Sequence, residues 1–192
     1  MAIAIQNLSQ LLTYEQYLNE GVIKLRYDIL DGVRIVSNPT SRHQDILLNL
    51  GEAFRDYQRK QKTGRVQIAP RDVLIRRAPL RTRQPDVLFI SMTRLAQNPP
   101  NTDPAPISPA PELVVEILSP SDTKKVLAAK IADYQSVGVL ECWVVSLRAR
   151  TVEVLSLTAE EVESVRVYDE METVQSIQFP DLQVAVADIL AE

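Results

Sequence analysis

The run Leu113-Val114-Val115-Glu116-Ile117-Leu118-Ser119-Pro120-Ser121-Asp122 decides how this chain is read. Its first six residues are apolar except for Glu116, the pattern of a central strand covered on both faces. Ser119-Pro120-Ser121-Asp122 then supplies the chemistry that opens a helix. That helix is predicted to continue to about Val137 and to stop at Gly138, with a strand following at residues 141–146. An unpaired carboxylate inside an apolar strand costs several kcal/mol, so Glu116 calls for a cation, a proton or a metal unless it stands at an exposed edge or pairs with an arginine.

Further strands are expected upstream at residues 65–69, 72–76 and 86–90. The last of these opens with Pro85-Asp86 and runs into Val87-Leu88-Phe89-Ile90. If the strands bearing Asp86 and Glu116 are neighbours, two carboxylates meet, and like charges at short range demand a cation between them. All-oxygen ligands favour Mg²⁺ or Mn²⁺ over zinc. On the predicted helix, Val126, Lys130, Tyr134 and Val137 share one stripe. A lysine there either snorkels to solvent or reaches back to Glu116. Beside a metal it could hold the attacking water or offset charge on a phosphate.

Near the start, Thr13 and Gln16 form a capping-box pattern for a short helix to about Glu20. Residues 24–30 and 33–37 read as strands joined by Asp31-Gly32, a strong hairpin signal. Thr40 or Ser41 starts an amphipathic helix carrying Ile46, Leu47, Leu50, Phe54 and Tyr57 at helical spacing, with Gly64 beyond its end. His43, the sole histidine, lies on the same stripe. The proline-rich segment 98–111 is expected to be a surface loop within one domain spanning residues 1–192, with 1–12 flexible. Strands are expected again at 151–157 and 164–168, and residues 182–190 read as a strand running into a last helical turn. The order suggests an α/β (α+β) fold: a mixed sheet flanked by helices, with an N-terminal β-hairpin.

The 192 residues are 45% hydrophobic and 24% charged, an ordinary globular profile. One cysteine, Cys142, excludes an internal disulfide and fits a reducing cytoplasm. The opening residues lack a signal-peptide pattern, and no apolar run is long enough to span a membrane. Net charge is −4, but it is unevenly spread. Residues 55–83 are strongly basic, including Arg71, Arg76, Arg77, Arg81 and Arg83, whereas residues 151–192 are acidic. Such a division allows a basic face for a polyanion, or simply two solvated faces of opposite sign. With no second histidine, no thiol partner and only five glycines, a His-based zinc site, a Cys/His nucleophile and a phosphate-cradling Gly-rich loop are disfavoured.

Tyr27-Asp28-Ile29-Leu30-Asp31-Gly32, His43, Pro85-Asp86-Val87, Val115-Glu116-Ile117-Leu118-Ser119-Pro120-Ser121, Lys130 with Tyr134, and Gly138-Val139 before Glu141-Cys142-Trp143 occur in that order. In this the chain resembles the Uma-type family of small bacterial endonucleases, within the PD-(D/E)XK superfamily of restriction-endonuclease-like folds. The resemblance runs from about Thr13 to the C-terminus. It implies a central mixed sheet with helices on both sides and a DNA-cutting enzyme, with homodimers common. It also implies that Asp86 and Glu116 hold one or two divalent metals, Mg²⁺ or Mn²⁺, while a lysine supports the attacking water. The superfamily lysine stands two residues after the acidic residue, where this chain has Leu118. The Uma-type family shares that loss and keeps a lysine on the next helix, matching Lys130. Its glutamate in the first hairpin strand is Asp28 here, an accessory acidic group by resemblance, and His43 matches a family histidine. The alternative to an active enzyme is a catalytically weak or inactive nuclease-fold module that binds nucleic acid or assembles as a dimer.

Overall fold

A computed structural model describes residues 11–21, 23–97, 106–119 and 122–192. Helix α1 (Tyr14–Asn19) opens with the expected reciprocal cap: Gln16 N donates to Thr13 Oγ1 at 3.2 Å, and Thr13 N to Gln16 Oε1 at 2.9 Å. Strands β1 (Tyr27–Leu30) and β2 (Val33–Val36) form the expected hairpin. Asp31 and Gly32 both have positive φ, 53° and 84°, as a tight two-residue turn matching strand twist requires. Helix α2 (Ser41–Gln61) is capped by Thr40 and buries His43, Ile46, Leu47, Leu50, Phe54 and Tyr57.

Lys62, in the left-handed region, ends α2. Gly64 serves another purpose. It begins β3 (Gly64–Ile68), where a Cβ would stand only 2.4 Å from both the Ile90 carbonyl oxygen and the Phe89 ring. There follow β4 (Val73–Arg76), β5 (Arg81–Arg83), β6 (Val87–Ser91), α3 (Met92–Gln97) and β7 (Leu113–Ile117). Next are α4 (Lys124–Ser136), β8 (Glu141–Ser146), β9 (Thr151–Leu157), β10 (Val162–Asp169), β11 (Thr173–Gln175), β12 (Gln183–Ala185) and α5 (Val186–Ile189).

The central sheet is mixed, ordered β10-β9-β8-β7-β6-β3, with β7 and β8 its parallel pair. Alternation sends Phe89, Val115 and Trp143 into a core with the α2 residues Leu50 and Phe54. Leu88, Val114 and Val144 face the other way, into a core with Tyr134 of α4. The fold is thus the expected central mixed sheet flanked by helices. The hairpin and β4, however, do not join that sheet. They form a separate antiparallel sheet, β2-β1-β5-β4, in which β5 is a strand not anticipated from its Arg81-Thr82-Arg83 sequence. Buried Asp72 ties this sheet to α1, accepting from Tyr17 Oη at 2.6 Å and Gln84 Nε2 at 3.1 Å.

Two local expectations change. The N-cap of α4 is Thr123, whose hydroxyl accepts from Val126 N, and Asp122 instead accepts from Ser119 N at 2.7 Å. Of the proline-rich segment, 98–105 lie outside the described residues, and in 106–111 Pro106, Ile107, Ala110 and Pro111 are buried while Ser108 stays on the surface. Ile107 is 3% exposed and bonds to the backbone on both sides of β4's start. The expected flexible start, 1–12, lies outside the described residues apart from Leu11 and Leu12, and Leu12 N donates to Gly32 O.

Candidate active site

Strands β6 and β7 are antiparallel neighbours with Leu88 opposite Val114, both on the α4 face. Continuing that alternation puts Asp86 and Glu116 on the same face at the same end of the pair. Asp86 N donates to Val115 O at 3.0 Å and Ile117 N to Asp86 Oδ2 at 2.7 Å, so the aspartate is locked to the strand bearing Glu116. Both carboxylates are buried, at 0% and 2% exposure.

Each has its own set of partners. Lys130 Nζ, from the second turn of α4, donates to Glu116 Oε2 at 2.7 Å, and the Tyr134 hydroxyl one turn on donates to Oε1. The lysine therefore reaches back to the strand instead of snorkelling to solvent. Asp86 Oδ1 accepts from Arg26 Nη1 and lies 3.1 Å from His43 Nε2. Every oxygen of the two carboxylates thus has a protein donor.

Burial pushes the Asp86 carboxyl up, but the His43 hydrogen bond and the Arg26 charge outweigh it and hold the group below the usual aspartate range. Glu116 goes the other way: burial, together with the charge of Asp86, lifts it despite Lys130 and Tyr134. Burial works against the Lys130 ammonium, yet Glu116 beside it raises its pKa and keeps it charged. Burial and the neighbouring carboxylate push Tyr134 well up, so the phenol remains a donor.

Asp28 stands at the margin. Its Oδ2 accepts from Arg83 Nη1 at 2.7 Å and its Oδ1 from Gln84 N at 3.0 Å, while its charge contributes to the field at Lys130. Arg83 is 3% exposed and also bonds Asp133 of α4; Arg81 holds both Asp133 oxygens. These two arginines of the basic segment therefore face inward and fasten the small sheet to α4. Arg76 pairs with Asp31, Arg77 lies over the Tyr14 ring, and both are exposed, while Arg71 is half-buried.

The structure brings Asp86, Glu116, Lys130 and His43 together, with Asp28 at the margin. The sequence reading overlooked Arg26. Tyr27 and Ile29 point into the core with Tyr17 and Leu80, so Arg26 and Asp28 share the opposite face. That alternation was the available signal. Asp133, on α4 three residues after Lys130, was equally unmarked.

The family model described as "Putative restriction endonuclease", Uma2, matches residues 12–187. The chain belongs to the Uma2 family. A solved structure from Anabaena variabilis ATCC 29413, described as "a putative nuclease belonging to DUF820", is similar over 93% of this chain and 97% of that one, with TM-score 0.71 and 19% identity. At that identity the likeness speaks for the fold, which is restriction-endonuclease-like. No curated protein matches the chain in sequence. No helix among the described residues is long and apolar enough to cross a membrane.

For a metal, the donors of the right kind are Asp86 and Glu116. Among the described residues no group of three or more His, Cys, Asp or Glu could hold an ion. Two oxygen donors suit Mg²⁺ or Mn²⁺, which usually keep waters and phosphate oxygens in their shell, and do not suit a closed zinc site.

Proposed function

We propose that this Uma2-family protein is a metal-dependent endonuclease that hydrolyses DNA phosphodiester bonds, with Asp86 and Glu116 as metal ligands and Lys130 as the catalytic cation. The observation that carries this reading is the junction of the two buried carboxylates at one end of β6 and β7, with the Lys130 ammonium 2.7 Å from Glu116. A divalent ion held there would supply a water of lowered pKa and offset charge on the phosphate.

The chain's own groups divide the remaining work. Ile117 N and His43 orient Asp86, and Tyr134 fixes the Glu116 carboxylate with a bond that frees no proton near neutral pH. Lys130 brings to Glu116, from the following helix, the cation that the chain lacks at Leu118. Its ammonium, kept charged by Glu116, positions the attacking water or stabilises charge growing on the phosphate. Contact with the DNA backbone falls to the outward-facing arginines of the basic segment, Arg76 and Arg77, and to the half-buried Arg71. Arg81 and Arg83 serve as the frame. Such contacts give sequence-independent affinity that falls steeply with salt.

The test is cleavage of supercoiled plasmid with Mg²⁺ or Mn²⁺ by the wild type and by Asp86→Ala. Loss of cleavage in the variant supports the assignment; equal cleavage by both sinks it. The full engagement of all four carboxylate oxygens favours a second reading, a nuclease-fold module that binds DNA without cutting it efficiently. DNA binding with no metal-dependent cleavage would favour that reading. The edge strand β10, with Val162, Val165 and Val167 exposed, is a surface a second copy could cover in a homodimer, which sedimentation would detect.

A further inference from the structure

Arg26 stands where the reading above would put a metal. Its backbone is fixed beside β2, with the carbonyl accepting Ser37 N at 3.0 Å, and its guanidinium lies at the end of a flexible stem on Asp86 Oδ1. The side chain is 14% exposed, so part of it borders solvent while the Asp86 carboxylate beneath it is shut off.

The charges around it are matched. Asp28, Asp86, Glu116 and Asp133 are joined by ion pairs to Arg26, Arg81, Arg83 and Lys130. Such a balanced cluster offers a bare dication little net attraction, and two of its cations already sit on the two metal-ligand candidates. Binding a metal alone would leave the Arg26 charge crowded against it. A phosphodiester changes this. Its anionic oxygens give the guanidinium a planar, bidentate partner, the geometry for which arginine is well suited.

We propose that Arg26 is a resident counter-ion on Asp86, and that a divalent metal enters only together with a phosphodiester that draws the guanidinium away. Arg26 then changes partner from aspartate to phosphate, and Asp86 Oδ1 is released for the metal. This rests on Asp86 and Glu116 being the metal ligands, and it adds an order: nucleic acid and metal bind as a coupled pair. Because coupling between two sites is reciprocal, each ligand must tighten the other by the same factor.

The experiment measures free Mn²⁺ by electron paramagnetic resonance during titration of the full chain. It is run with and without a short DNA duplex made resistant to cleavage by phosphorothioate linkages. Asp86→Asn reports the Mn²⁺ held by the DNA alone. Wild type should bind Mn²⁺ at least about tenfold more tightly with the duplex than without it. Arg26→Gln should bind Mn²⁺ about tenfold more tightly than wild type in the absence of DNA, and most of the duplex effect should vanish. Arg26→Lys, which keeps the charge, should keep weak binding without DNA. Mn²⁺ alone should also raise the melting temperature of Arg26→Gln and leave that of wild type unmoved. Equal wild-type affinity with and without DNA overturns the coupling while leaving the metal site standing. Should wild type with DNA take up no more Mn²⁺ than Asp86→Asn, the metal site itself falls, and the coupling with it. If Arg26→Gln does not fold, the wild-type comparison still decides.

Discussion

Glu116 and Glu141 are both buried carboxylates on neighbouring parallel strands, and each interrupts an apolar sequence. They sit at opposite ends of the β7–β8 pair: Glu141 lies opposite Leu113, and Glu116 opposite Val144. Their partners differ in kind. Glu141 accepts from Trp143 Nε1 at 2.6 Å, Ser176 Oγ at 2.7 Å, and the backbone amides of Ile177 and Gln178. All of these donors are neutral, and two belong to the main chain of the turn before β12. Glu116 is held by an ammonium and a phenol on side chains, beside a second carboxylate. A carboxylate surrounded by fixed neutral dipoles fastens structure together. One held in part by an ammonium on a flexible stem can exchange that partner, which is what chemistry needs.

The sharpest attack on this distinction is at the proposed metal ligand, Asp86. Asp86→Ala should reduce Mg²⁺-dependent plasmid cleavage by about 10³-fold or more, while purified protein retains a cooperative melt; a loss of metal-assisted charge stabilisation of several kcal/mol is of that size. At the other carboxylate the expectation reverses. Glu141→Ala strands several buried donors, so it should lower unfolding free energy by about 3 kcal/mol or more in urea titrations. Cleavage per folded molecule should stay close to wild type. If activity per folded molecule collapses instead, the division between the two glutamates is wrong.

Lys130→Ala should lower cleavage by about 10²-fold, the typical cost of removing one charge-stabilising donor, with partial recovery in Lys130→Arg. The mildest expected effect is a pH trend in stability. Because the Glu116 carboxyl is raised in the folded state, that state holds its proton more firmly than the unfolded chain does. The stabilisation is full below about pH 4 and is lost as pH climbs through the raised value. Glu116→Gln lacks this loss, so chemical denaturation should find the variant gaining on wild type between acid and neutral pH. Asp86, held low, has the opposite sign: its contribution is present above about pH 4 and fades in acid.

Much of this was legible in residue order. The buried-strand pattern of residues 113–118, the Asp31-Gly32 turn and the stripe on α2 each reported a local cause, and each element formed where its cause lay. Glu116 announced itself because a charge in an apolar strand conflicts with its neighbours. Glu141 carried a similar conflict at the first position of its strand and passed unnoticed, since a carboxylate at a strand boundary is unremarkable in sequence. β5 could not be anticipated, because half-buried Arg81 and buried Arg83 are held by pairing with Asp28 and Asp133, residues far away in the chain. Arg26 has its partner 60 residues downstream, and only its alternation with buried Tyr27 and Ile29 marked it in the sequence. Local pattern announces elements; long-range ion pairs do not leave a local pattern.

That separation has a consequence for the order in which the molecule is completed. The β1–β2 hairpin and α4 close over short loops and can form early, whereas the Arg26–Asp86 bridge closes a loop of 60 residues and needs β6 already in register. During synthesis the strand that frames Glu116 on its other side, β8, emerges after all of these. The paired carboxylates therefore wait on long-range contacts that the hairpin and α4 do not need to form. A nascent or partly folded chain would hold the separate pieces of the site without bringing them together.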